Sequence, residues 1–170
     1  MELHVTTYHG RVVLSVLRLN GRLDATTYTT LIDTGKRLFG DGARKIVLDL
    51  AGLSYISSAG FMALQAVAAL LADGTVPDPD AGWEALHRHA DEAAETSSPH
   101  LKLLNPQPQV LKTLERVKFT TLFDIYTSLD EALAACLPLA DRRGLAQGQM
   151  RYVQAFNPDV AKNRRPTNDD

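Results

Sequence analysis

The segment from Lys45 to Leu71 constrains this chain more than any other. Lys45-Ile-Val-Leu-Asp-Leu50 is apolar on both faces in its middle, the pattern of a central strand with helices laid against it. Phe61 to Leu71 is an apolar run of helical length that carries almost no polar residue except Gln65. A helix apolar nearly all round has to be buried, and core burial is the default for such a stripe. Between the two lies Tyr55-Ile-Ser-Ser-Ala-Gly60, which sets two hydroxyls at the entrance of the helix, read as Ala59 to Ala72. There the first N–H groups lack intrahelical partners and the summed peptide dipoles favour negative charge. A phosphate carried on a serine would be well accommodated.

The rest of the chain arranges itself around this junction. Leu3 and Val5 alternate with polar residues, and Val12 to Leu19 is β-rich, so the two runs predict a hairpin that Asn20-Gly21 breaks. Tyr28, Leu31, Ile32, Leu38 and Phe39 have the spacing of an amphipathic helix ending at Gly40 and Gly42. The second helix stops near Asp73-Gly74, and the breaker-rich, polar stretch 75–100 reads as an insertion. Leu101 to Leu104 resumes a strand, and Asn105-Pro-Gln-Pro108 opens a helix with Val110, Leu111, Leu114 and Val117 as its stripe. Leu122 to Tyr126 is a last short strand. Ser128 and Glu131 form a capping-box pattern for a helix over Leu129 to Leu137 that Pro138 closes. The expected domain is 1–138, followed by an extension, 139–170, without sustained periodicity and in part disordered.

Composition narrows the function. Among 170 residues the formal charge is −2, and the Arg142-Arg143 and Arg164-Arg165 pairs are too sparse for a nucleic-acid surface. Cys136 is the single cysteine, which excludes an intrachain disulfide or a thiolate zinc cage and fits a reducing cytoplasm. No apolar run reaches the ~20 residues that span a bilayer, so no membrane role is expected.

Gly21-Arg-Leu-Asp24, Val47-Leu-Asp-Leu50, Leu53-Ser-Tyr-Ile-Ser-Ser-Ala-Gly60 and Leu104-Asn-Pro106 followed by Val110 together resemble a STAS domain of the bacterial anti-sigma-factor antagonist type. The resemblance implies an α/β fold with a single mixed sheet of four or five strands and about four helices, helices covering one side of the sheet, with the insertion after the second helix. It also implies a protein that binds a serine-kinase anti-sigma factor and is reset by a serine/threonine phosphatase. In such antagonists the phosphoacceptor lies two residues before the loop glycine, here Ser58 before Gly60, with Ser57 as second choice. Ser57 stands where many members carry Asp. The partner surface implied is Asp24, Ser57, Ser58, Ala59 and Gly60, with no catalytic residue, metal or cofactor in the chain itself.

Each of these residues has a plainer reading. Ser57 and Ser58 fit helix N-caps, a role worth ~1 kcal/mol, and Asp24 fits the N-cap of the first helix. His87 and Asp91 have the i, i+4 spacing of a helical metal pair, but two ligands make a thin case and a solvated face is the simpler account. Cys136 on an apolar stripe reads as a small buried residue. Lys36-Arg37 and Lys112, Arg116 and Lys118 read as solvated helix exteriors. No phosphate-binding loop, dinucleotide fingerprint or zinc-protease motif is present, so no enzyme is expected. The rival functions are a ligand-sensing STAS module, which calorimetry with nucleotides would reveal, and a scaffold subunit of a signalling assembly. Homodimerisation is left open.

Overall fold

The computed structural model describes residues 1–76, 97–146 and 151–153. In chain order these form β1 (Glu2–His9), β2 (Val13–Leu23), α1 (Tyr28–Gly40), β3 (Lys45–Ile56), α2 (Ser58–Asp73), β4 (Leu101–Leu104), α3 (Pro108–Arg116), a 3-10 turn (Phe119–Thr121), β5 (Ile125–Tyr126), α4 (Leu129–Cys136), α5 (Leu139–Ala146) and β6 (Arg151–Val153). The strands make one mixed sheet in the order β5-β4-β3-β2-β1-β6. β1 and β2 are an antiparallel hairpin, whereas β2, β3, β4 and β5 run parallel through helical crossovers. The expected α/β architecture and its five strands are present, and the C-terminal extension adds a sixth strand antiparallel to the end of β1.

The period of two in each strand sends alternate side chains to opposite faces. Leu3, Val5, Leu17, Leu19, Ile46, Leu48, Leu50, Leu101 and Leu103 join the inner residues of α1, α2 and α3 in the main core. Leu14, Val47 and Leu104 point the other way and meet Ala132, Leu133, Cys136 and Leu137 of and just after α4. Helices therefore cover both sides of the sheet, which corrects the expectation of a one-sided layer. An apolar stripe demands burial without saying against which face.

α2 is core along Phe61, Ala63, Leu64, Val67, Leu70 and Leu71, as its composition requires, and Gly74 ends it in the left-handed conformation at φ 80°. Gly35 of α1 is buried with its missing Cβ 3.0 Å from a Val67 methyl, so the two helices approach closely.

Four further local expectations are revised. β2 does not break at Asn20-Gly21 but runs on to Leu23 through two register shifts, with Gly21 at φ 106° absorbing the irregularity. β3 likewise continues past Leu50 to Ile56, so the stretch between strand and helix shrinks to one residue, Ser57. The last core strand is only Ile125–Tyr126, because Phe119 and Phe123 are drawn into the core around a 3-10 turn. Ser128 is the N-cap of α4, but its hydroxyl makes no cap hydrogen bond. Part of the C-terminal extension is ordered too: Asp141 in α5 is buried and accepts from the Val12 N–H at 3.2 Å, tying α5 to the β1–β2 turn. Of the insertion, residues 97–100 dock on the sheet, with the Ile46 N–H donating to the His100 carbonyl and Lys45 Nζ to that of Pro99. His87, His89 and Asp91 lie outside the described residues.

Candidate functional site

Parallel strands deliver their C-terminal ends to one edge of a sheet, and in open α/β sheets that edge is where ligands and partners are met. Here β2 ends at Leu23-Asp24, β3 at Ile56-Ser57 and β4 at Leu104-Asn105. Asn105 adopts φ 49°, a left-handed conformation that asparagine tolerates, and its N–H donates to the Tyr126 carbonyl at 2.8 Å.

The β3–α2 junction is clamped to β2. The Ser57 N–H donates to the Leu23 carbonyl at 3.0 Å, and the Phe61 N–H closes the first helical turn on the Ser57 carbonyl at 3.0 Å. Gly60 makes this approach feasible: a Cβ on it would stand 2.7 Å from both the Leu23 carbonyl oxygen and Ile56 Cγ1. Gly60 is thus a packing requirement that seats the first turn of α2 against β2. The two motifs singled out in sequence, Asp24 and Ser57-Ser58, become neighbours through this contact.

The two serines part company in their environments. Ser58, the first residue of α2, is exposed. Ser57 is the N-cap residue with an extended backbone, yet its hydroxyl makes no cap hydrogen bond, and its Oγ is buried with no partner among the described residues. Ser57 occupies the capping position without performing the capping bond. Ala59 is half-buried and Gly60 buried, so of the predicted partner-binding set it is Ser58 and, in part, Asp24, Ser57 and Ala59 that reach solvent.

Asp24 is not the N-cap of α1, a position held by Thr27. It starts the turn that leads there: its carboxylate accepts from the Thr26 N–H at 3.0 Å and the Thr26 hydroxyl at 2.7 Å, while its carbonyl accepts from the N–H groups of Thr27 and Tyr28. The Thr26 hydroxyl, the Thr26 N–H and more weakly Arg22 hold this carboxyl below its ordinary value, so it is ionised at neutral pH.

Sequence reasoning missed two residues at this edge. Register places Arg22 opposite Tyr55, and the guanidinium carbon lies 4.2 Å from the centroid of the Tyr55 ring, which is 43% exposed. The same guanidinium reaches Asp24 through Nε at 3.5 Å. The pair Ser54-Tyr55, a polar residue and an aromatic one between Leu53 and Ile56, was the available signal. Its pairing with Arg22 was hidden by the register shifts that precede it.

A second polar cluster lies toward the opposite edge, under α4. Lys102 is buried and donates to the Ser98 carbonyl at 3.0 Å and to the Asp124 carboxylate. Burial pushes the Asp124 carboxyl up, but hydrogen bonds from Lys102 and Ser97 and the Lys102 charge outweigh it and leave it below its ordinary value. Burial raises the Cys136 thiol against the opposing pull of Lys102 and Lys45, so this cysteine is an unreactive core residue. Among the described residues no group of three or more His, Cys, Asp or Glu could hold a metal ion, and no helix is long and apolar enough to cross a membrane.

Comparisons with known proteins agree with this fold. A search of curated protein sequences finds no match. Among solved structures, an anti-sigma factor antagonist from Mycobacterium paratuberculosis superposes with a TM-score of 0.53 at 20% identity, covering 78% of this chain and 93% of that one. A candidate anti-sigma factor antagonist from Thermotoga maritima gives a TM-score of 0.53 at 15% identity, covering 75% of this chain and 92% of its own. At such identities the likeness is one of fold. Residues 5–75, which run from β1 through the Asp24 turn and the serine junction to the end of α2, match the STAS domain family.

Proposed function

We propose that this protein is an anti-sigma-factor antagonist: a cytoplasmic, non-enzymatic binding module that engages a serine-kinase anti-sigma factor and is released when Ser58 is phosphorylated. The observation that carries the reading is the exposed Ser58 side chain at the first position of α2, beside the ionised Asp24 turn. A kinase can reach this hydroxyl without unfolding any element. The structural likeness to two proteins described as antagonists supports the partner class.

The physics of the switch is local. Phosphorylation replaces a small neutral hydroxyl with about −2 charge and three acceptor oxygens. The N–H groups at the start of α2 receive it without disturbing the fold. A partner packed over the same edge meets a bulky dianion next to Asp24, and like charges brought together in a desolvated contact are costly. The kinase supplies ATP, magnesium and catalytic groups, and the antagonist supplies the acceptor and the docking surface. A serine/threonine phosphatase reverses the step.

The test is incubation of the purified chain with a kinase-type anti-sigma factor and ATP, followed by intact-mass measurement. Wild type and Ser57→Ala are expected to gain one phosphate and Ser58→Ala none. Phosphate that persists in Ser58→Ala moves the acceptor elsewhere and overturns the assignment.

A further inference from the structure

Arg22 is the cation that the fold sets beside the Asp24 turn, and it is loosely committed there. Its side chain is 61% exposed, its Nε stands 3.5 Å from Asp24, and its guanidinium lies over Tyr55 without a closer partner in that pair. Asp24 does not depend on it, because Thr26 supplies two shorter bonds to the same carboxylate, at 3.0 and 2.7 Å. Arg22 flanks Leu23, whose carbonyl receives the Ser57 N–H, so one residue of backbone separates Arg22 from the contact that seats Ser58. We infer that Arg22 is the positioning residue for a phosphate on Ser58, swinging from Asp24 and the Tyr55 ring to pair with the phosphate oxygens. This rests on Ser58 as the modified residue.

The chemistry favours the exchange. Guanidinium and phosphate form charge-assisted, bidentate pairs, stronger than a single long contact to a carboxylate that already has its own donors. The regulatory signal then has two parts: a dianion appears at Ser58, and the Tyr55 ring loses its cationic cover. The surface that a partner reads changes beyond the modified side chain.

The test uses the full chain with phosphoserine installed at position 58 during synthesis, so no kinase is needed. The second ionisation of phosphoserine lies near pH 6, and a neighbouring cation favours the dianion and lowers it. Titration by phosphorus NMR is expected to place it about half a unit lower with Arg22 than with Arg22→Gln, with Arg22→Lys restoring part of the difference and roughly 0.5 M salt diminishing it. The Arg22 Nε–H signal should also move between the unmodified and phosphorylated chains. Equal ionisation in wild type and Arg22→Gln, with an unmoved Nε–H signal, overturns the inference. If the kinase assay assigns another acceptor while the titration still shows the Arg22 effect, the functional reading has failed and the electrostatic one stands.

Discussion

The two ends of the parallel strands handle polar groups in opposite ways. Toward the N-terminal edge Lys102 is sunk to 7% side-chain exposure and is bonded to both Ser98 and Asp124, and Lys45 Nζ is held by the Pro99 carbonyl. At the C-terminal edge Ser58 is exposed, and Arg22 touches Asp24 at 3.5 Å with most of its side chain in solvent. Buried polar groups that hold a fold need partners, because an unmade bond there costs about 1–3 kcal/mol. Groups left loosely bound at an exposed edge cost little to redirect, and that is the requirement for a switch. The contrast separates residues that keep this protein folded from those free to report a signal.

The sharpest way to break the contrast is Gly60→Ala, since Gly60 is where the signalling edge depends on structure. The added methyl meets a backbone carbonyl and Ile56 at 2.7 Å, so α2 has to shift. Overpacking of this kind costs about 3 kcal/mol, read as a lowered urea midpoint, and it loosens the Ser57–Leu23 bond as well. A variant as stable as wild type would show that the helix start is not clamped.

Next comes Asp124→Ala, which leaves the buried Lys102 ammonium with the Ser98 carbonyl alone. Because Asp124 is 41% exposed, the penalty for breaking a buried pair is discounted to about 2 kcal/mol. The pH dependence has a definite sign. A carboxyl depressed in the folded state contributes stability above its unfolded value, and that contribution is lost as pH falls through the folded value. The stability gap between wild type and Asp124→Ala should accordingly shrink on acidification below about pH 4. A gap that is constant with pH would remove the ion pair from the account.

The smallest expected effects sharpen the comparison from the other side. A serine that truly caps a helix loses ~1 kcal/mol on truncation, whereas Ser57→Ala should be neutral or stabilising by up to about 1 kcal/mol, because it removes a buried hydroxyl with no partner among the described residues. Ser58→Glu, at an exposed first-turn position where negative charge is favoured, should be near neutral for folding. A full capping loss at Ser57 would restore the plain structural reading of that residue.

Much of the fold is legible in the sequence. Alternation and apolar runs located β1 to β4, and the composition of α2 announced its burial. Motif order brought Asp24 and Ser58 forward together. What escaped has physical causes. The stripe of α4 does not encode which sheet face it covers, and β5 is too short for alternation to register. α5 is polar in composition and is held by a tertiary bond, Asp141 to Val12, that local pattern cannot contain. The Arg22–Tyr55 pair depends on two register shifts in β2, where Asn20-Gly21 reads locally as a break. Long-range register was the missing information in both this pair and the close seat of Gly60 on Leu23.

The central claim is that a partner docks over Ser58 and that a phosphate there removes it. Calorimetry of a kinase-type anti-sigma factor with the unmodified chain and with the chain carrying phosphoserine at position 58 measures this directly. The account predicts an affinity at least about a hundredfold weaker for the phosphorylated form, which corresponds to ~3 kcal/mol. Equal affinities would contradict it.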